Sequence, residues 1–233
     1  MQIFENVYAA DTGAGTLASS LAVRIKLAIL RGDLPPCSKL RLDDLRSRFG
    51  VSLSPLREAI SRLSSEGLIQ VEDQRGYRVA PVSRHNLAEL VHLRAEFECM
   101  ALKEAIILGD IEWEGNILSA LHQLSQINRS GHPGGNQEAW ESVHRNLHIQ
   151  LMSACNMPLL LQFCSMLADL VDRYRRIFLV GHPVDTATKR EHEVIVETTI
   201  ARDAEKALAA LRCHIERTGA RIMKGLQETP PEK

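Results

Sequence analysis

The chain has 233 residues, enough for a small domain joined to a larger one with a core that needs no disulfide staples. At 45% apolar, 24% charged and only 4% aromatic residues it falls outside the disordered classes and suits a helix-rich globular protein. The five cysteines form no C-x-x-C pair, no basic-then-apolar segment opens the chain, and no apolar run approaches the roughly 20 residues that cross a bilayer. These features predict a cytoplasmic protein with buried, reduced thiols and no membrane partner.

The net charge of −1 is unevenly spread. Residues 16–81 carry 11 Lys/Arg against 7 Asp/Glu, and residues 82–233 carry 17 against 20, so only the first third suits a polyanion. Residues 1–15 are expected to form an N-terminal arm. From Thr16 to Arg31 the spacing of Leu21, Ile25, Ala28 and Ile29 predicts a helix, stopped by Gly32. A second short helix from Leu42 places Leu42, Leu45 and Phe49 on one side and Arg46 and Arg48 on the other, ending at Gly50.

A third helix follows almost at once, with Ser54 as expected N-cap and Pro55 at the first helical position. Its inward stripe is Leu56, Ala59, Ile60 and Leu63, while Ser52, Ser54, Arg57, Ser61 and Arg62 are left outside. Alternating residues 68–72 and 77–80 around Asp73-Gln74-Arg75-Gly76 predict a β-hairpin. Two short helices, a tight joint and a hairpin make a winged helix-turn-helix. The N-terminal end of its second helix presents free N–H groups to phosphate, and Arg57 can pair with guanine O6 and N7 or grip a phosphate. Ser52 and Ser54 suit phosphate contacts, Arg46 and Arg48 add cations, and Arg75 with Gly76 can lay the wing along the minor groove. An isolated amphipathic helix with a solvated charged face is commoner, but the wing and the spacing together favour double-stranded DNA.

"GDLPP", residues 40–49, "VSLSPLREAISRLSSEGLI" and "QRGYRVA" together resemble the DNA-binding domain of the GntR family of bacterial transcription regulators over residues 16–81. Two positions depart from that pattern: Cys37 stands where the family usually has Gly, and Leu53 where it usually has Arg, which removes one DNA contact the resemblance would imply.

After Pro81, helices are expected at 87–108, 112–129, 138–155, 158–180, 187–202 and 204–224, with a loop at Ser130-Gly131-His132-Pro133-Gly134-Gly135. Without strand patterns or repeats this is an all-α bundle over residues 82–225, followed by a tail at 226–233. Leu90, Arg94, Phe97 and Ala101 share one stripe, as do Trp113, Ile117, Leu121 and Leu124. His144 and His148 sit four apart on the face of Leu147 and Leu151; His192 precedes Val196 and Ile200; His214 follows Leu208 and Leu211. A lone histidine on an apolar face is usually a satisfied core residue. Four such histidines on three helices can instead supply neutral imidazoles to Zn²⁺ or a similar ion.

Residues 82–225 resemble the all-helical effector domain of the FadR-type, or FCD, branch of the GntR family. That resemblance implies a divalent metal, zinc first with nickel or manganese as alternatives, held by an Asp four residues before a His and by two later histidines 22 apart. His148, His192 and His214 match the three histidines, and His144 stands where Asp is usual; it can still ligate but leaves the site more positive. Open coordination positions would take a small carboxylic acid, clamped by Arg94 first and Arg173 second. "RAEFECM", "GDIEWEGNILSALHQLS" and "DRYRRIF" resemble a branch that represses short-dicarboxylate breakdown, which suggests a glutarate-like acid. The expected function is a dimeric repressor that sets two recognition helices about 34–36 Å apart on an inverted repeat and leaves its operator when the acid binds. The rivals are a sensor of the metal itself and a zinc hydrolase, against which "HRNLH" lacks the Glu of H-E-x-x-H, although Glu191 or Glu193 could arrive from elsewhere.

Overall fold

The structure is a computed structural model that describes residues 16–127, 137–179 and 186–228. Its backbone divides into two units between Ser83 and Arg84. The expected arm at 1–15 and the loop at 130–135 lie outside the described residues.

Thr16 takes extended backbone and accepts from Ser19 N at 3.2 Å, which caps α1 (Leu17–Leu30). β1 (Lys39–Leu40) leads into α2 (Leu42–Phe49), closed by Gly50 in the left-handed region at φ 66°. Gly50 N and Val51 N both donate to Arg46 O, at 2.9 and 3.3 Å, and this tight joint delivers the chain to α3 (Leu53–Ser65). Ser52, not Ser54, holds the N-cap position, without a side-chain bond. Ser54 and Pro55 therefore lie within the first turn, where a missing N–H still costs nothing because the residue four positions back lies before the helix and offers no helical carbonyl.

Leu56, Ala59, Ile60 and Leu63 are each fully buried. Each large one stabilises by about 1.5–3 kcal/mol. Surface ion pairs such as Arg62–Glu58 (2.5 Å) contribute under about 1 kcal/mol, so the apolar stripe seats α3 on α1. Arg62 also donates to Ser19 Oγ at 2.9 Å and ties the two helices at their edge.

β2 (Ile69–Glu72) and β3 (Gly76–Val79) form the hairpin, pairing Glu72 with Gly76 and Ile69 with Val79. The sequence reading missed β1, which pairs antiparallel with β3 and gives the order β1-β3-β2. Two residues are too few to show a period. Cys37, just before β1, sits at φ 63°; its N–H donates to Val79 O at 3.1 Å and its carbonyl accepts from Arg78 Nη1 at 2.5 Å. The sheet thus holds Cys37 in a conformation natural to glycine.

The second unit is helical: α4 (Arg84–Leu108), α5 (Ile111–Gln126), α6 (Gln137–Met152), a short 3₁₀ turn (Ser153–Cys155), α7 (Pro158–Phe178), α8 (Thr186–Ile200) and α9 (Ala204–Glu228). α9 runs into the stretch expected as tail. α4 lies against α9, α7 and α6, while α8 packs on α9 and α5 on α6. At the α4–α9 crossing a Cβ built on Gly219 would lie 2.6 Å from Val91 Cγ2, so only glycine permits that approach.

Asp110 caps α5 by accepting from Trp113 N at 2.9 Å. Ala120, rather than Leu121, takes the inward place on α5, and Phe97 is half-buried with its ring 6.1 Å edge-on from Phe163. Cys99, Cys155 and Cys164 are buried; burial pushes the Cys99 thiol up to about 11 and the Cys164 thiol up to about 12. Cys37 and Cys213 are exposed, against the expectation of uniformly buried thiols. Among the described residues no helix is long and apolar enough to cross a membrane.

Candidate nucleic-acid interface and metal centre

In the first unit, Arg46, Arg48, Ser52, Ser54, Arg57, Arg75 and Gly76 are all exposed. Arg46 and Arg48 are partly engaged, with Asp43 at 3.4 Å and Asp33 at 3.6 Å. Arg57, one turn into α3, pairs with no acid among the described residues. Leu53, at the first helical position, is half-buried. Gly76, at φ 94°, and Gln74, at φ 58°, turn the wing and leave Arg75 at its tip.

In the second unit, α6 supplies His144 and His148, α8 His192 and α9 His214. One ligand atom from each lies within 4.8 Å of those of the other three. None of the four residues is more than 4% exposed. The His192 and His214 ring centroids are 4.6 Å apart, and those of His144 and His148 are 4.8 Å apart.

The groups behind the rings set their protonation. Glu98, on α4, accepts from Arg94 Nε on one oxygen at 2.5 Å and faces His148 Nδ1 with the other at 3.0 Å. Burial alone would raise the Glu98 pKa, but the Arg94 and His148 contacts overcome it and hold the carboxyl at about 2. An ionised Glu98 can only accept, so His148 carries its proton on Nδ1 and keeps the lone pair on Nε2. Glu191 does the same for His214 Nδ1 at 3.0 Å, itself held by Arg217. Burial depresses all four imidazoles: His148 to about 4, His144 and His192 well below the ordinary value, and His214 in the same direction.

These are the features a metal requires. The rings are neutral, and Nε2 of His148 and of His192 is buried without a hydrogen-bond partner. Orphaned buried ring nitrogens are costly, and a cation facing their lone pairs removes the cost. The carboxylate-backed histidine is the usual support for such a ligand.

Arg94 is buried beside the cluster as expected, but its Nε is committed to Glu98; its Nη2 lies 3.4 Å from His148 Nδ1, a donor facing a donor. Arg173 is buried in α7, yet it is Arg175, two positions on, that touches the cluster, with Nη1 3.1 Å from His144 Nδ1. Arg175 is itself fixed by Glu141 and by Asp172 at 2.7 Å, and Trp140 stacks on His144 at 4.6 Å and 15°. Sequence reasoning missed Glu98 and Arg175. Glu98 lies four residues after Arg94, a helical pair spacing that could have found it; Arg175 carries no such signal.

Residues 17–79 match the family described as bacterial regulatory proteins, gntR family, and residues 89–217 match the FCD domain. The chain is 35% identical over 195 residues to BphR of Paraburkholderia xenovorans, an uncharacterized HTH-type transcriptional regulator, covering 83% of this chain and 80% of that protein. It is 33% identical over 195 residues to the HTH-type transcriptional repressor GlaR of Escherichia coli, covering 82% and 89%. The solved structure of E. coli McbR/YncC shares the fold at a TM-score of 0.76 and 21% identity, over 92% of this chain and all of that one. These relatives are regulators, not enzymes, which removes the hydrolase. The chain therefore belongs to the GntR family of DNA-binding transcription regulators, its winged helix-turn-helix followed by an FCD domain.

Proposed function

We propose that this protein is a repressor that binds operator DNA as a homodimer and releases it when a small carboxylic acid enters its second unit. The observation that carries this reading is the buried cluster of four neutral histidines backed by Glu98 and Glu191. A divalent cation, zinc by preference for nitrogen donors, would be held by His148, His192 and His214 with His144 beside them. When bound, such an ion supplies a Lewis-acidic contact for one carboxylate of the acid. Arg94 keeps Glu98 ionised, so its role is to support His148 more than to clamp the acid. Arg175 is the cation that meets His144, its Nη1 3.1 Å from Nδ1, and Arg173 remains a candidate from the same helix.

In the first unit, Arg57 and the α3 N-terminus enter the major groove, Ser52 and Ser54 meet phosphate, Arg46 and Arg48 flank them, and Arg75 with Gly76 follows the minor groove. Support comes from the exposure of all seven residues and from the repressor among the relatives.

The test combines metal analysis with DNA binding. The chain purified without chelator is expected to hold about one metal per protomer, and His148→Ala and His192→Ala to lose it. A short dicarboxylate such as glutarate is expected to lift the parent, but not these variants, from its operator in a mobility-shift assay. Release by added zinc alone, without any acid, would favour a metal sensor instead; equal metal content in parent and variants would remove the site.

A further inference from the structure

We propose that His144 is not a ligand of the cation but a hydrogen-bond donor to the anion beside it, so that the site is a three-histidine centre with an open position. This rests on the metal reading above and adds a role that spacing alone would not assign. The argument is one of lone pairs. A neutral imidazole has one N–H and one lone pair. At His148 and His214 the group behind Nδ1 is a carboxylate, which accepts the N–H and leaves the lone pair on Nε2 for the cluster. At His144 the group behind Nδ1 is the Arg175 guanidinium, which has five donors and no acceptor, at 3.1 Å. It takes the single lone pair. The proton of His144 must then sit on Nε2, and the ring has nothing left to give a metal.

Neither partner is free to change. Arg175 is buried, with Nη2 held by Glu141 and Asp172, and its guanidinium lies over the Trp140 ring at 5.7 Å. Turning the His144 ring over would set a carbon against a buried guanidinium and strand its donor. The His144 centroid lies 4.8, 5.0 and 6.0 Å from those of His148, His192 and His214, so the ring is part of the cluster and its N–H is within reach of an anion held there.

Zinc affinity is measured on the full chain by competition with a chromophoric chelator. His144→Gln, which can accept from Arg175 through its oxygen and donate through its nitrogen, is expected within about threefold of the parent, against a loss of a hundredfold or more in His148→Ala. Loss in His144→Gln equal to that in His148→Ala overturns the donor role while leaving the metal site standing. Failure of the parent itself to take up zinc overturns the site and this role together. A second reading needs no variant: in ¹⁵N-histidine spectra of the zinc-loaded parent, His144 Nε2 is expected to be protonated, and metal-bound nitrogen at His144 overturns the proposal. Finally, acetate titrated into the cobalt-loaded protein is expected to bind about tenfold more weakly in His144→Ala than in the parent, with an unchanged constant counting against the anion contact.

Discussion

Glu98 and Arg175 show how a single buried group can decide what a histidine does. One is a carboxylate and the other a guanidinium, and on the assignment proposed above the two rings they face, four residues apart on α6, take opposite tautomers. Spacing revealed that His144 and His148 share a face, but the sign of the group behind each ring is set by α4 and α7, which only the packed bundle brings there. Cys37 is a simpler case. Its left-handed backbone, φ 63°, is fixed by bonds to Val79 and Arg78, and a side chain there is strained by roughly 1 kcal/mol. Cys37→Gly relieves that strain while adding unfolded-state entropy, so the net gain is expected at about 0.5 kcal/mol or less; urea unfolding with unchanged m-value checks it, and a loss above 1 kcal/mol would show that the thiol contributes packing.

The helices were legible because their apolar stripes have the right period: Leu56, Ala59, Ile60 and Leu63 are buried as the spacing of the third helix predicts. What escaped was what has no period. β1 is two residues long, and the start of α3 lies slightly earlier than Ser54-Pro55 suggests because proline is tolerated anywhere in a first turn. The exposed start of α3 bears on function directly. Arg57→Ala removes one exposed cation and no buried contact, so operator affinity is expected to fall at least about tenfold with unchanged thermal stability; retained affinity in a mobility-shift assay would dismiss this helix end as the reader of DNA. The α4–α9 crossing gives the opposite kind of effect. Gly219→Ala drives a methyl into Val91, a stiff side chain, and is expected to cost about 1–3 kcal/mol in denaturant unfolding while leaving the isolated contacts of α3 unchanged.

At the scale of the molecule, the two units have separate cores, and only the second carries the histidine cluster. Zinc should therefore stabilise one unit alone. At a free concentration a hundred times its dissociation constant it is expected to add about 2.7 kcal/mol, raising the calorimetric transition of the helical unit by several degrees without moving that of the winged unit. Chelator should reverse the shift, and His148→Ala should abolish it; equal shifts in both transitions would mean that the units melt as one. The division into a basic first third and a slightly acidic remainder was visible in the sequence, whereas the ionic ladder of Arg145, Asp172, Arg175 and Glu141 between α6 and α7 was not, since charged residues inside a bundle read as surface until their partners are known.

The chain has two tryptophans, and one of them, Trp140, lies flat against the His144 ring. Indole emission is quenched or shifted by a neighbouring imidazole according to that ring's polarisation, so the molecule carries its own optical gauge of what occupies the space between α6, α8 and α9. Adding zinc, and then acid, should change the emission in two separable steps that Trp140→Phe erases, giving a label-free titration for a compound library; a signal surviving that exchange would have to come from Trp113.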